Sequence, residues 1–394
     1  MDNVENISRE TWKSLIIKTL KYETEAQKLT FYEEQLIKNP EPGIKIQPFY
    51  TQEDWQELQY LQGFHQLWTS TKLTTGWMNL EKIQVMEVKI ANNQAQQAIS
   101  GGADAILFDI HVEHINFEVL LEGILLTKIP VFFSIKSNVL ANLDKHQDLL
   151  NSFFEYIKST YPDKSKLMGG LSYSCDNFDE KDWNILADSC TFFADSPYFT
   201  ACIENHIPAD SSGYKVDDLT FLLQQTMELV AQLLKRNIPI EQILTSVGFG
   251  ISVGNQYLME IAKLRALRLL WWQIGKLYAP ESNLVNVFIR VETTVGLPIE
   301  SIEPQFQPSD GYQSMISNAT QAMAAIIGGC DALTVLPHDE HSGKPDNFSR
   351  RIARNVSHVL KEEAFFDKVI DPAAGSYLIE NLTHQIVKGV WEKL

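Results

Sequence analysis

The residues best suited to chemistry in this sequence lie where short apolar runs stop. His338, Asp339 and Glu340 follow the run "DALTVLP", and His206 follows the run "YFTACIEN". A histidine at such a position can act as a general acid or a hydrogen-bond donor, because its charge state is easily tuned near neutral pH. The pattern therefore allows acid–base chemistry, although an isolated histidine is more often structural.

Two further clusters carry charge. "DIHVEH" (109–114) has the spacing Asp-x-His-x-x-His, which allows a metal site, but we favour the simpler interpretation of a polar strand end. "RRIARN" (350–355) could bind phosphate, or it could pair with Asp339, Glu340 or Asp346. We favour the structural pairing, because arginine binds carboxylates as readily as phosphate.

The elements that would position these residues alternate between short β-branched or aromatic runs and long helical patterns. Gly-Gly pairs in "ISGGADAILF" and "AAIIGGCDALTV" fit a helix end and a tight turn before a buried strand. Eight such units predict an α/β fold, a (β/α)8 TIM barrel, whose functional groups gather at the carboxyl ends of the strands. A doubly wound open sheet is the alternative, but no G-x-G-x-x-G follows the first strand. The candidate strands are residues 84–90, 104–110, 130–136, 167–173, 198–205, 243–250, 286–292 and 331–337.

Residues before this alternation have a different character. "ISRETWKSLIIKTL" predicts a short amphipathic helix that Ser8 could cap, and "NPEPGIKIQPFYT" predicts an extended segment. We therefore expect an N-terminal extended and helical arm over 1–75, which packs on a partner or on its own barrel, and a barrel over 76–394.

Composition argues against several classes of function. The formal net charge of −17 repels phosphate backbones and anionic lipids, so we expect no nucleic acid and no membrane among the partners. No apolar run reaches the ~18 residues of a membrane helix, and the N-terminus lacks the pattern of a signal peptide. The four cysteines are scattered without metal-binding spacing, which is typical of reduced thiols. We therefore expect a cytoplasmic protein.

The C-terminal third contains segments that resemble the methylmalonyl-CoA mutase family. They are "YLMEIAKLRALRLLWWQI", "ATQAMAAIIGGCDALTVLPHDE", "NFSRRIARNVSHVLKEE" and "FFDKVIDPAAGSYLIENLT". "TVLPHDE" and the opening "ETWKSLIIKTL" are more similar to the small (beta) subunit than to the catalytic large subunit. The resemblance implies a (β/α)8 barrel, which in the catalytic subunit threads CoA through its centre. We expect this chain to comprise the barrel without the family's cobalamin-binding domain.

The resemblance also places the family's functional positions on this sequence, where most are changed. The catalytic Tyr-His pair falls on Asn205 and His206, so only the histidine is kept. The segment that holds the substrate through a His and a Gln reads "RVETTVGLP", and an Arg that binds the substrate carboxylate falls near Ser246. Of the two residues that contact the adenosyl ribose, Asn becomes Leu336 and only Glu340 is kept.

These losses lead to an expectation about function. A barrel that holds a dianionic acyl carboxylate and CoA needs cations and hydrogen-bond donors inside, and the changed positions supply few. We expect a catalytically silent small subunit that binds no cofactor, metal or substrate itself and forms a heterodimer with a large subunit. In the family, that large subunit uses adenosylcobalamin to interconvert methylmalonyl-CoA and succinyl-CoA. The alternative is an active substrate-binding barrel that works with a separate cobalamin-binding chain, using His206 as a catalytic residue and Glu340 as a cofactor contact.

Overall fold

Parallel strands form a closed ring in the computed structural model, which describes residues 8–22, 24–55, 75–136, 143–174, 179–200, 204–207, 214–281, 287–295, 311–340 and 345–394. A short antiparallel hairpin precedes the ring and consists of β1 (Lys38–Glu41) and β2 (Ile44–Ile46). The segments of the ring are β3 (Met78–Val85), β4 (Ala105–Ile110), β5 (Val131–Lys136), β6 (Gly169–Ser174), β7 (Phe199–Thr200), β8 (Glu204–Ile207), β9 (Gly248–Val253), β10 (Phe288–Thr293) and β11 (Ala332–Thr334).

The order of pairing shows how the ring closes. Each segment pairs in parallel with its neighbour, and β11 lies between β10 and β3. β7 pairs with β6 and β8 pairs with β9, and only residues 201–203 separate β7 from β8 in the chain. These two segments therefore occupy one position of the ring, which makes an eight-position (β/α)8 barrel and confirms the predicted fold class.

Helices cover the outside of the barrel. The arm contains α1 (Arg9–Thr19) and α2 (Glu25–Phe31), and the other described helices are α3 (Val88–Ser100), α4 (Phe117–Leu120), α5 (Leu143–Thr160), α6 (Glu180–Phe192), α7 (Lys215–Lys235), α8 (Ile240–Ser246), α9 (Tyr257–Tyr278), α10 (Gly311–Ile327), α11 (Asn347–Glu362) and α12 (Tyr377–Trp391). Gly102 and Gly329 have φ values of 93° and 90° just before β4 and β11. Both predicted Gly-Gly turns therefore need the left-handed backbone that glycine adopts without strain. None of the described helices is both long and apolar enough to cross a membrane.

Two of the predicted strands are misplaced. The first was expected over 84–90, but β3 ends at Val85 and residues 88–90 begin helix α3. Residues 243–246, expected to begin another strand, form the end of α8, and β9 starts only at Gly248. In both cases an apolar run crosses the boundary between a strand and a helix, so it carries no period that separates them.

The hairpin of the arm packs on the chain's own barrel. Ile44 is buried in the main core, and the backbone N–H of Lys45 donates to the side-chain oxygen of Gln385 on α12 at 2.7 Å. The Glu41 carboxylate accepts the N–H of Lys215, the first residue of α7, which no side chain of its own N-cap residue satisfies. This segment of the arm therefore packs on the chain's own barrel, which is one of the two expected alternatives.

Helix α9, part of one of the resemblance segments, carries arginines that are buried completely. Arg265 pairs with Asp371 and with Glu380, whose oxygen lies 2.8 Å from Nη2. Arg268 donates to Asp331 at 2.8 Å and to two backbone carbonyls of the adjoining loops. These charges join α9 to the segments before β10 and β11 and to the region of α12, so this part of the resemblance describes a framework.

Candidate functional site

Four polar side chains from three strands meet at the carboxyl end of the ring. Lys82 Nζ on β3 donates to the two carboxylate oxygens of Glu292 on β10 at 3.2 and 3.1 Å, and it lies 4.0 Å from Asp109 Oδ2 on β4. His111 Nε2, just after β4, lies 3.2 Å from the same Asp109 oxygen. The fold thus brings Asp109 and His111 of the predicted polar strand end together with Glu292 and with Lys82, which the sequence analysis did not select.

The lysine in this cluster is held in its charged form. Burial alone would lower the pKa of Lys82, but the nearby carboxylates of Glu292 and Asp109 outweigh it and raise the pKa above its ordinary value. A lysine that stays protonated at neutral pH cannot accept a proton as a general base. The cluster is therefore an internal ion network, in which Lys82 offers no free base.

The interior of the barrel below this network is filled by apolar side chains. The rings of Phe132 and Phe288 stack across the ring of strands with centroids 5.4 Å apart, and Leu80, Leu107 and Ala332 pack around them. The cavity that remains beside the two rings measures about 20 Å³, which is room for about one water molecule. Among the described residues, the two stacked rings and this small cavity leave no room for an extended ligand at this level of the bore.

A larger cavity lies in the wall of the barrel, between β3 and β11. These strands pair only through Met78 with Ala332 and Asn79 with Leu333, and beyond these pairs they separate. A cleft of about 330 Å³ opens there, lined by the upper half of β3, the start of α3, the exit of β11 and the first turns of α11. We call this cavity the β3–β11 cleft.

Arg350 and Arg354 of "RRIARN" approach a carboxylate that is not among the three acids suggested by the sequence. Glu81 of β3 pairs with Arg354, and its other oxygen lies 4.0 Å from Arg350 Nη1. The side chain of Glu340 forms no hydrogen bond or ion pair with any described residue and lines the β3–β11 cleft instead. The expectation that Glu340 anchors these arginines is therefore wrong, and Glu81 holds that role.

The predicted histidines do not form one site in the described part of the chain. His206 lies on β8 in register with Gly250, and its side chain is outside the described residues, so its catalytic role stays a prediction. His338 Nδ1 is buried without a hydrogen bond to any described residue. His114 is exposed, and no three His, Cys, Asp or Glu side chains of the described residues converge as a metal site requires.

The positions that the resemblance assigns to substrate binding have structural contacts here. In "RVETTVGLP", Glu292 belongs to the ion network and Thr293 Oγ1 accepts the N–H of Leu336 at 2.9 Å. Thr294 Oγ1 donates to the carbonyl of Val253 at 3.0 Å. Ser246 ends α8 before β9 begins, so it lies at the opposite end of that strand from the ion network.

Sequence reasoning missed the residues that decide the character of the interior: Lys82, Phe132 and Phe288. The alternation of inward- and outward-facing residues along a strand could have identified them, because every second residue of a barrel strand points inward. Lys82 follows Leu80 by two positions, and both face the bore. Glu81 and Lys82 make this strand hard to recognise, because two adjacent charges are unusual in a barrel strand. The two side chains point to opposite faces, where Glu81 pairs with Arg354 and Lys82 pairs with Glu292.

Comparison with known proteins agrees with the resemblance. The family model described as methylmalonyl-CoA mutase matches residues 184–394. The methylmalonyl-CoA mutase small subunit of Porphyromonas gingivalis is 30% identical over 98% of this chain and 62% of its own length. That of Propionibacterium freudenreichii subsp. shermanii is 24% identical over 98% of this chain and 61% of its own.

The chain thus spans about three fifths of the length of these two relatives. A solved dihydropteroate synthase from Thermus thermophilus covers 73% of this chain and 95% of its own at 14% identity, but a TM-score of 0.34 makes this likeness too remote to inform the fold. The family model covers more than half of the chain, and the segments it spans include the buried framework of α9. The chain belongs to the methylmalonyl-CoA mutase family.

Proposed function

We propose that this chain is a non-catalytic small subunit of a methylmalonyl-CoA mutase. In this proposal it supports a large subunit that interconverts methylmalonyl-CoA and succinyl-CoA with adenosylcobalamin, and it acts in the cytoplasm. The observation that carries the proposal is the filled bore, where Phe132 and Phe288 stack and leave about 20 Å³. The names of the two small-subunit relatives support the same assignment.

The chemistry at the mouth of the barrel supports this proposal too. A substrate carboxylate needs a cation with free donors, but Lys82 is committed to Glu292 and Asp109. Drawing it away would deprive two buried carboxylates of their shared lysine, which is costly in a medium of low polarity. The segment "RVETTVGLP" adds few uncommitted polar groups, since Thr293 Oγ1 accepts a backbone N–H and Thr294 Oγ1 donates to a backbone carbonyl.

The arm supports the proposal of a partner chain. Helix α1 has no buried residue although it contains Trp12 and Ile16, and Leu15 is 49% exposed. Its Trp12 ring stacks on Phe49 with centroids 4.9 Å apart. An amphipathic helix with an uncovered apolar side favours contact with another protein surface, so we assign α1 to the interface with the large subunit.

Activity measurements test the silent role. The purified chain is mixed with adenosylcobalamin and methylmalonyl-CoA, alone and with a co-expressed large subunit, and succinyl-CoA is measured. We expect turnover only when the large subunit is present. Turnover by this chain alone would refute the proposal.

Co-purification with the large subunit tests the assigned interface. Leu15→Asp places a charge on the uncovered side of α1 and should reduce recovery of the complex, whereas Leu15→Met keeps the apolar contact and should not. Equal recovery with both variants would remove α1 from the interface without affecting the silent role.

One observation keeps the alternative function open for experiment. The Glu340 carboxylate, at the retained family position, faces the β3–β11 cleft without a partner among the described residues. An active barrel working with a separate cobalamin-binding chain would bind a CoA ester saturably in a calorimetric titration. The silent role predicts no saturable binding of a CoA ester.

A further inference from the structure

The β3–β11 cleft contains an arginine whose donors are largely unused. Arg350 presents five N–H donors, and its one contact with a described charged side chain is the 4.0 Å approach to Glu81. That carboxylate is already bonded to Arg354 through its other oxygen. The Arg350 side chain is only 20% exposed, so water reaches it from a limited range of directions, and a guanidinium in this position favours an oxyanion that bonds to two donors at once.

An acceptor with no partner among the described residues lines the same cleft. Burial raises the pKa of Glu340, and although Lys82 and Arg350 act to lower it, neither lies within ion-pair distance. The carboxylate and the guanidinium thus line one cleft without bonding to each other. A half-buried acceptor without a donor costs free energy that a bound hydroxyl or ammonium group would recover.

Apolar side chains make up part of the remaining wall, beside polar ones such as Gln84 and Glu87. Met86 and Ile90 lie at the rim on the α3 side, and Leu336 and Pro337 form the side opposite. A volume of about 330 Å³ falls within the range of small-molecule sites, which combine apolar walls with a few fixed polar groups. Leu80 and Lys82 separate the cleft from the bore, and the stacked rings of Phe132 and Phe288 do not line it.

We infer that the β3–β11 cleft binds a small metabolite that carries an oxyanion, bonded by Arg350, and a hydroxyl or ammonium donor, bonded by Glu340. Carboxylate and phosphate are both oxyanions of suitable geometry for a guanidinium. The inference goes beyond the proposed function, because a subunit without catalysis can still bind a regulatory molecule. Its failure would leave the turnover experiments above unchanged.

Calorimetric titration of the full chain tests the inference with three probes: malate, which has both groups, succinate, which lacks the hydroxyl, and inorganic phosphate. We expect saturable binding of malate and weaker binding of succinate. Phosphate that binds more tightly than malate would identify the oxyanion as phosphate and would overturn the role of Glu340. Binding of every probe weaker than about 10 mM would overturn the inference as a whole.

Variants locate the binding. Arg350→Gln should weaken the affinity for malate at least tenfold, which is the usual loss for a charge-assisted hydrogen bond. Glu340→Met should remove the preference for malate over succinate. Arg351→Gln is the matched control, because Arg351 is exposed, lies over the Phe348 ring and does not line the cleft. Equal losses from Arg350→Gln and Arg351→Gln would mean general attraction of anions and would refute a specific site.

Discussion

Replacing Arg265 with leucine should destabilise the barrel strongly, because one guanidinium serves two buried acids. Arg265 is completely buried, and the side chains of its partners Asp371 and Glu380 are 7% and 1% exposed. Removing one member of a buried ion pair costs about 3–5 kcal/mol, since the remaining charge is left without compensation. With two acids dependent on one arginine, we expect a loss in the upper half of that range.

Urea unfolding at pH 7, followed by tryptophan fluorescence, measures this loss in the free energy of unfolding. Lys89→Leu is the control, because Lys89 pairs with Glu122 and their side chains are 61% and 63% exposed. An exposed pair contributes less than about 1 kcal/mol. If Arg265→Leu costs no more than Lys89→Leu, the view of this family segment as a buried framework is refuted.

The pH dependence of the same variant provides a second check. Burial raises the pKa of Asp371 even though Arg265 lowers it, and without Arg265 the pKa should rise further. The folded variant then binds a proton that the unfolded chain has released, so its stability falls as pH rises. The loss of unfolding free energy caused by Arg265→Leu should therefore be larger at pH 7 than at pH 5. A deficit that does not change with pH would contradict this explanation.

Three further replacements test the interior and the arm. Lys82→Met should lower the free energy of unfolding by about 1.5–3 kcal/mol at neutral pH. Because the pKa of Lys82 is raised in the folded protein, the gap in unfolding free energy between wild type and variant should narrow only above about pH 10.4. Glu41→Ala removes the acceptor at the start of α7, so limited proteolysis should cleave the arm faster, with exposed Glu34→Ala as an unchanged control. Phe288→Ala should cost about 3–5 kcal/mol in urea unfolding and produce no mutase turnover; a smaller loss would mean that the bore is loosely packed.

The barrel could be predicted from the sequence because its signals are local. Gly-Gly turns and apolar strand runs such as "DAILFDI" report the fold without knowledge of distant residues. The prediction failed at β3, whose Glu81 and Lys82 are adjacent charges that look unlike a barrel strand. Their partners Arg354 and Glu292 lie more than 200 positions away in sequence, so no local pattern could show that both charges are paired.

The error over Glu340 has a similar physical cause. Nearness in the chain suggested that Glu340 would meet the arginines of α11, which begin ten residues later. Closure of the ring instead sets β3 beside β11, so Glu81 reaches α11 from the other end of the sequence. The ion pair was hidden because the first and last strands of a closed barrel are neighbours in space and the farthest apart in the chain.

The filled bore and the ion network are separate obstacles, and each would have to be removed before this barrel could process an acyl-CoA. Substituting family residue types at the strand ends would leave the Phe132 and Phe288 rings across the bore. Truncating the rings would open the bore but leave Lys82 bonded to Glu292 and Asp109, so a substrate carboxylate would have to compete with two internal ones. Because the two obstacles involve different side chains and different forces, no single replacement should produce activity. Turnover by a variant changed at only one of these places would show that the interior is less committed to its own packing than we infer.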